Sequence, residues 1–210
     1  MIHSYEELNK AQEVSETDTF TIDRYRQFFH FFHPDVKKIL DVGCNTGRGG
    51  KTLKELNREL QLIGLDCVNS RLEKLPCGVY DQKVCSYSTN VILESSSIDA
   101  IVAGEFIEHL YPDDVTKTLY EFYRLLKPSG QLLLTTPNPN YLLLTLTSRS
   151  VLGGAHVSQH YPADLVKHLK VTGFDEIKIF GSGKVSRYLG QYFPWLRVYG
   201  SYLVIANKVT

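Results

Sequence analysis

The chain has 210 residues, of which 43% are hydrophobic and 22% are charged, a balance that indicates one soluble globular domain with a sizeable core. Its 23 basic and 23 acidic residues give a net charge of zero, which argues against a broad surface for nucleic acid or anionic membrane. The four cysteines form no C-x-x-C pair, so a zinc site or disulfide framework is not expected, and a reduced, cytoplasmic setting fits. The N-terminus shows no signal peptide, and no apolar run is long enough to span a bilayer.

Residues 1–35 are expected to form an N-terminal helical cap on a single domain. Positions 1–19 are polar and predict a marginal helix or an arm. Apolar residues then recur at helical spacing from Ile22 to Phe32, until Pro34 ends the run. This helix packs on the edge of a sheet or, alternatively, lies over a ligand that Arg24 or Tyr25 could reach.

Strands and helices alternate through the rest of the chain. The pattern predicts strands at 36–42, 61–66, 82–85, 98–103, 131–136, 174–180 and 202–207, and helices at 46–60, 112–126 and 162–170. A turn is predicted at 127–130, and 138–161 is a long connection expected to be an insertion on the substrate side. Such alternation predicts an α/β fold with a doubly wound, mostly parallel sheet, and the short link between the last two strands permits an antiparallel pair.

The first strand ends in Asp41 and runs into a glycine-bearing turn before a helix. Gly43 can adopt positive φ, Asn45 is the least penalised non-glycine residue in the left-handed region, and Gly47 lets the helix begin close to the strand. A dinucleotide site would show G-x-G-x-x-G facing a pyrophosphate. The carboxylate of Asp41 would repel a pyrophosphate but suits the ammonium group of an amino-acid-like cofactor.

The second predicted strand ends in another acid, Asp66, 23 residues after Gly43. A βαβ unit presents an acid at this distance to a ribose diol, because a carboxylate can accept hydrogen bonds from both hydroxyls. Cys67 and Val68 would follow it, beside the base.

An ordered set of motifs along the chain indicates the type of protein more specifically than the glycine turn and Asp66 do alone. The set comprises Ile39 to Gly47, Gly64-Leu65-Asp66, Ser97-Ile98-Asp99, Glu105-Phe106-Ile107-Glu108-His109-Leu110, Arg124 to Gly130 and Thr136-Pro137-Asn138. Over residues 37–180, this succession resembles the class I S-adenosylmethionine-dependent methyltransferases. Within that class it is most similar to the branch that contains the O-methyltransferases of ubiquinone synthesis.

The resemblance implies a Rossmann-like sheet of seven strands with the last one antiparallel, and S-adenosylmethionine as the cofactor. It implies that the first motif holds the methionine portion, through Asp41, Gly43, Cys44, Asn45, Thr46 and Gly47, and that Asp66 holds the ribose. It further implies that Ala103, Gly104 and Glu105 run past the cofactor. The family usually has an acid near the adenine amine; that place falls at Tyr87, followed by Ser88, and Tyr87 could stack on the ring instead.

Two devices could remove the proton of an acceptor hydroxyl. His109 could act as a general base oriented by Glu108 or Glu105. Alternatively, Glu105, Glu108 and His109 could bind a divalent cation, since Glu-x-x-Glu-His followed by a later histidine, here His156, is similar to the metal-dependent 2′-O-methyltransferases of small RNA 3′ ends. A bound metal is left open by the sequence, and no residue is assigned as its ligand.

The acceptor is indicated less directly. An apolar patch at 141–146 and an aromatic loop at 188–195 favour an aromatic, lipid-linked or glycan acceptor, although core packing would explain them equally well. The neutral charge disfavours nucleic acid. The sequence thus predicts an O-methyltransferase acting on a small-molecule, lipid-linked or glycan acceptor. An NAD-dependent oxidoreductase and a non-catalytic, cofactor-binding protein of the same fold remain as alternatives.

Overall fold

The structure is a computed structural model that describes residues 4–10 and 19–209. Those parts of the predicted N-terminal arm that fall at positions 1–3 and 11–18 lie outside the described residues. Within the predicted cap, helices α1 (Tyr5–Lys10) and α2 (Phe20–Phe31) are present.

One seven-stranded sheet forms the centre of the described chain. Its strands are Lys38–Val42 (β1), Gln61–Asp66 (β2), Gln82–Cys85 (β3), Ile98–Gly104 (β4), Leu126–Pro137 (β5), Phe174–Ser182 (β6) and Ser201–Lys208 (β7). Their order in the sheet is β3-β2-β1-β4-β5-β7-β6, and β7 runs antiparallel to both of its neighbours. The predicted α/β fold with an antiparallel last strand is therefore confirmed.

Helices cover both faces of this sheet. The remaining ones are Arg48–Leu56 (α3), Asn69–Glu73 (α4), Pro112–Leu125 (α5), Leu142–Leu146 (α6), Pro162–Val171 (α7) and Ser186–Leu189 (α8). Apolar side chains of α2, α3 and α4 pack with one face of the sheet, and those of α5 and α7 pack with the other. Because the strand order reverses between β1 and β4, a crevice opens at the carboxyl ends of these two strands.

Helix α3 is shorter than the sequence predicts. It ends at Leu56, because Asn57 adopts an extended backbone with φ −149° and ψ 110°. Leu53 and Leu60 are buried, whereas the side chain of Leu56 is 41% exposed. The segment predicted as one helix through Leu60 therefore contains a helix and, after it, the loop that leads into β2.

The turn predicted at 127–130 lies within the strand that follows α5. Ile98 of β4 pairs with Leu126 and Ala100 pairs with Gln131, so four residues of β5 bulge out between these two pairs. Ser129 has a positive φ of 62°, as a turn residue does. The turn is thus present, but pairing with β4 has already begun before it.

Candidate active site

The turn after β1 has the backbone that its residue types predict. Gly43, Asn45 and Gly47 have positive φ values of 67°, 49° and 81°. The Gly43 amide donates to the carbonyl of Leu65 at 2.8 Å, which fastens the turn to the end of β2. A Cβ atom on Gly43 would lie 2.9 Å from the Phe106 ring, so this position requires glycine for close packing as well as for its φ angle.

The carboxylate of Asp41 is enclosed by two tyrosines. Its side chain is fully buried, and its oxygens accept hydrogen bonds from the hydroxyls of Tyr25 and Tyr80. Both rings reach it because α3 contains Gly49 and Gly50, where a Cβ atom would overlap the Tyr25 ring and the Tyr80 ring respectively. Burial raises the pKa of Asp41 to about 6, and the two tyrosine hydrogen bonds oppose this rise.

An open crevice lies at the carboxyl ends of β1, β2 and β4, the place where sheets of this topology bind their ligands. Its lining includes eight of the residues that the sequence assigns to the cofactor: Gly43, Asn45, Asp66, Cys67, Tyr87, Ser88, Gly104 and Glu105. His109, predicted as a catalytic residue, also lines it. The sequence therefore locates most of this cavity.

Six predicted cofactor residues do not line the cavity: Asp41, Cys44, Thr46, Gly47, Val68 and Ala103. For Asp41 the reason is that Tyr25 and Tyr80 hold its oxygens, so the expected contact with an ammonium group is not met in this geometry. Cys44, Val68 and Ala103 point into the core and are buried there. Gly47 faces Leu75, which a Cβ atom on Gly47 would approach to 2.9 Å.

Asp66 ends β2 and faces the cavity. Its Oδ1 accepts a hydrogen bond from the Val68 amide at 2.9 Å, and its Oδ2 accepts one from the Asn45 amide at 3.1 Å. Burial raises the pKa of Asp66, whereas these amides and the nearby Arg71 guanidinium lower it. Each carboxylate oxygen can accept further hydrogen bonds, so Asp66 is held in a fixed orientation and can still bind ligand hydroxyls.

Glu105 follows β4 in a left-handed conformation with φ 50°, which is rare for a residue other than glycine. Arg24 of α2 places its Nη2 3.6 Å from Oε1 of Glu105, and the Ser201 hydroxyl donates to Oε2 at 3.3 Å. Arg24 therefore contacts a residue of the cavity wall without lining the cavity itself, and the alternative in which α2 lies over a ligand stays a prediction.

Two histidines with free acceptor nitrogens meet beside this wall. The rings of His109 and His156 lie 4.9 Å apart between centroids. Nδ1 of His109 donates to the carbonyl of Ala155 at 3.0 Å, and Nδ1 of His156 donates to the carbonyl of Val151 at 2.9 Å. Since a carbonyl can only accept, each Nδ1 carries a proton, and in the neutral imidazole the lone pair is then on Nε2.

Glu108 completes a possible metal site with these histidines. One ligand atom from each of Glu108, His109 and His156 lies within 4.8 Å of the others. The Thr136 hydroxyl donates to Oε2 of Glu108 at 3.0 Å, while Oε1 is buried with no hydrogen-bond partner among the described residues. Burial and the nearby Glu105 raise the pKa of Glu108 well above its ordinary value.

The long connection reaches this cluster through the backbone of Glu108. The amides of Val157 and Ser158 donate to the Glu108 carbonyl at 3.0 and 3.1 Å. These two bonds hold the segment in place and explain how His156 meets His109 from more than forty residues away in sequence.

Apolar side chains in the connection after β5 and in the aromatic loop are exposed. Helix α6 has no buried residue, and Leu146 is 73% exposed. In the aromatic loop, Tyr188 and Trp195 are 79% and 71% exposed. Core packing therefore does not explain these residues. Among the described helices, none is long and apolar enough to cross a bilayer.

Several lining residues have no counterpart in the sequence prediction: Tyr5, Asn9, Val42, Leu65, Arg71, Ser86, Phe106 and Leu110. The position directly after a predicted strand could have indicated Ser86. Tyr5 and Asn9 belong to α1, and no spacing in the sequence connects α1 with the strands that it covers.

Unpaired polar atoms on the cavity wall fit a polar ligand. Oδ1 of Asn45 and Oγ of Ser86 are buried and have no hydrogen-bond partner in the described part of the chain, while Oε1 of Glu105 has only its ion pair with Arg24 at 3.6 Å. A buried group left in this state costs about 1–3 kcal/mol, and a ligand with hydroxyl and amino groups would remove that cost. The cavity therefore suits a ligand that carries several polar groups.

Comparison with known proteins identifies the family. A family model described as a methyltransferase domain matches residues 40–134. The ubiquinone biosynthesis O-methyltransferase of Xanthomonas axonopodis pv. citri is 30% identical over 178 residues, which cover 77% of this chain and 69% of that protein. The mitochondrial ubiquinone biosynthesis O-methyltransferase of Homo sapiens is 34% identical over 118 residues, which cover 52% of this chain and 31% of that protein.

A solved structure agrees in fold. The SAM-dependent methyltransferase from Archaeoglobus fulgidus superimposes with a TM-score of 0.68 at 22% identity, covering 89% of this chain and 92% of that chain. The chain spans from about a third to about two thirds of the length of the first curated relatives that it matches. The Xanthomonas axonopodis relative is 30% identical to this chain, which covers 69% of that relative's length, and the Archaeoglobus structure has the same fold. The chain therefore belongs to the class I S-adenosylmethionine-dependent methyltransferases, whose cofactor is S-adenosylmethionine.

Proposed function

We propose that this protein transfers the methyl group of S-adenosylmethionine to a hydroxyl oxygen of a small-molecule acceptor. The observation that carries the proposal is the position of His109, which lines the cofactor cavity and also belongs to the Glu108–His109–His156 cluster. A group that activates an acceptor thus lies beside the place for the methyl donor. Membership of the methyltransferase family removes the alternative of an NAD-dependent oxidoreductase.

In this proposal the cavity wall orients the cofactor. Asp66 accepts from the ribose hydroxyls, and the turn of Gly43 and Asn45, together with Glu105, lies along the methionine portion. S-adenosylmethionine supplies a methyl group on a positively charged sulfur, which is already activated for an in-line displacement. The protein therefore contributes alignment of donor and acceptor and a means of removing the acceptor's proton.

The geometry favours a cation over a histidine base for that proton. Burial and the neighbouring His156 lower the pKa of His109 to about 4, so its imidazole is a weak base at neutral pH. The hydrogen bond that orients His109 goes to the Ala155 carbonyl and not to Glu105 or Glu108. By contrast, one ring nitrogen from each imidazole and a carboxylate oxygen of Glu108 form a mixed nitrogen and oxygen donor set, and a divalent cation held there would lower the pKa of an acceptor hydroxyl.

The relatives and the exposed surface support the acceptor class. The relatives named above methylate oxygen, as their names state. Helix α6, whose leucines are exposed, belongs to the same connection that carries His156. An apolar acceptor, aromatic or lipid-linked, would find contacts there that a glycan would not use.

Methyl transfer from labelled cofactor to a panel of phenolic and lipid-linked acceptors tests this proposal. We expect transfer that a chelator abolishes and that manganese restores, with His156→Ala reducing the rate at least about tenfold because one cation ligand is lost. His168→Ala, at an exposed histidine outside the cavity, serves as the matched control.

Each alternative predicts a different result. Transfer that is insensitive to chelator and to His156→Ala would contradict the role of the cation. Binding of S-adenosylhomocysteine without transfer to any acceptor would favour the non-catalytic, cofactor-binding alternative.

A further inference from the structure

The backbone that carries Glu108 and His109 is held from outside its own element. Ile107–His109 is a single turn of 3-10 helix, and the last carbonyls of a helix have no partner within it. The Ile107 carbonyl accepts from the Leu110 amide at 3.2 Å, and the Glu108 carbonyl accepts from the amides of Val157 and Ser158 in the long connection. The position of this turn therefore depends on the connection.

Two side chains of the connection, Ser158 and His160, reach the same carbonyls. The Ser158 hydroxyl lies 3.3 Å from the Ile107 carbonyl oxygen and 3.4 Å from that of Glu108. Nε2 of His160 lies 3.2 Å from the Ile107 carbonyl oxygen and 2.9 Å from the Ser158 hydroxyl. Since a carbonyl can only accept, Nε2 of His160 carries a proton and donates it, and the Ser158 hydroxyl donates its own proton to a carbonyl.

His160 is thus a hydrogen-bond donor to the backbone and not a further ligand of the cluster. Burial lowers the pKa of its imidazole to about 4, so the ring is neutral at pH 7. The side chains of Ser158 and His160 are both buried, which prevents water from replacing them as donors. A buried carbonyl left without a donor costs about 1–3 kcal/mol, so these two side chains stabilise the turn in its present position.

The connection is also tied to the sheet beside Glu108. The Tyr202 hydroxyl donates to the carbonyl of His160 at 2.8 Å. Tyr202 of β7 is the register partner of Thr136 of β5, and the Thr136 hydroxyl donates to Oε2 of Glu108 at 3.0 Å. These bonds form a closed circuit, so the carboxylate of Glu108 and its backbone are fixed relative to each other.

We propose that Ser158 and His160 are positioning residues for a divalent cation at the Glu108–His109–His156 cluster, an inference that rests on the proposed function. They act through backbone carbonyls and do not touch the cation. They hold the turn that carries Glu108 and His109 against the segment that carries His156, so that the three ligands converge before a cation binds. Ligands held in place in this way bind a cation more tightly, because less freedom is lost on binding.

Titration calorimetry with manganese alone, without cofactor or acceptor, tests the proposal. Ser158→Ala removes the hydroxyl, and His160→Phe keeps a ring of similar shape without the Nε2 donor. We expect each to raise the dissociation constant for manganese at least about tenfold, the scale of losing a partner that orients a ligand. His160→Gln, whose side-chain amide can still donate to the Ile107 carbonyl, should recover most of the affinity.

Ser182→Ala is the matched control. Ser182 is also buried, and its hydroxyl donates to Oε1 of Gln27 at 2.8 Å, in a contact between β6 and α2. This variant loses one buried hydrogen bond, as Ser158→Ala does, but should bind manganese as the wild type does. Equal weakening in Ser182→Ala and Ser158→Ala would show a general loss of structure and overturn the proposal.

Binding of S-adenosylhomocysteine by the same variants distinguishes positioning from damage to the fold. Neither Ser158 nor His160 lines the cofactor cavity, so every variant should bind this ligand as the wild type does. Unaltered manganese affinity in Ser158→Ala and His160→Phe would refute the positioning role, as would equal weakening by His160→Phe and His160→Gln. A wild type that binds S-adenosylhomocysteine but not manganese would remove the cation from the proposed function and this inference with it.

Discussion

Replacing Asp41 by Asn is expected to remove a pH dependence from the stability of the fold. The carboxyl is fully buried, and burial raises its pKa from 3.8 to about 6. The native protein thus binds this proton more tightly than the unfolded chain does. Its contribution to stability is present in full below about pH 4 and is lost as the pH rises through about 6.

The size of the effect follows from the same two values. The difference between 3.8 and about 6 corresponds to about 3 kcal/mol of unfolding free energy, at about 1.4 kcal/mol for each unit of pKa. The hydrogen bonds from Tyr25 and Tyr80 are already included, because both lower the pKa of Asp41. Asparagine fills the same space without ionising, and its amide can accept from one tyrosine hydroxyl and donate to the other.

Urea unfolding of the wild type and of Asp41→Asn, at about pH 4.5 and about pH 7.5, measures this difference. Between these two conditions, the unfolding free energy of the wild type should fall relative to that of the variant by about 2 kcal/mol, because part of the total of about 3 kcal/mol is already lost at about pH 4.5, above 3.8. Asp35→Asn, at an exposed aspartate, controls for the loss of a negative charge. An equal pH dependence in wild type and Asp41→Asn would show that Asp41 meets solvent, and would refute its enclosure by the tyrosines.

Two further predictions concern the same strand–turn–helix region. Asp66→Ala should weaken binding of S-adenosylhomocysteine by about 1–3 kcal/mol, because a fixed acceptor for two hydroxyls is lost; unchanged affinity in calorimetry would remove Asp66 from the site. Gly49→Ala should lower the unfolding free energy by about 1–3 kcal/mol, because the added Cβ atom overlaps the Tyr25 ring. Gly200→Ala, where a Cβ atom would meet nothing closer than 3.8 Å, is the control, and equal stability of the two variants would contradict the packing described for α3.

The sequence predicts the sheet well because its strands are short apolar runs with clear ends. The bounds of β2 and β3 agree with the prediction, and the positive φ angles of Gly43 and Asn45 follow from their residue types. Residues that line the cavity from strand ends, such as Asp66 and Glu105, are found because their position along the chain determines their place at the sheet edge.

The rest depends on contacts between distant segments, which periodicity does not encode. Tyr25 lies 16 residues before Asp41, and Tyr80 lies 39 residues after it, yet their hydroxyls decide that Asp41 is enclosed. The contact of Tyr5 with Asp114 spans 109 residues. The predicted helix at 46–60 is likewise too long, because the backbone leaves the helix directly after Leu56, whose side chain is exposed.

The connection from β5 to α7 is attached at two points, and this has a consequence for how such proteins diversify. At one end the Asn138 amide group donates to the carbonyls of Leu196 and Tyr199, and at the other end the Glu108 carbonyl accepts from Val157 and Ser158. Between Asn138 and Val151, the chain can change in length and composition while the carbonyls of Val151 and Ala155 still hold the histidine pair. Acceptor preference can therefore diverge, by natural variation or by grafting loops, while the chemistry beneath is inherited intact.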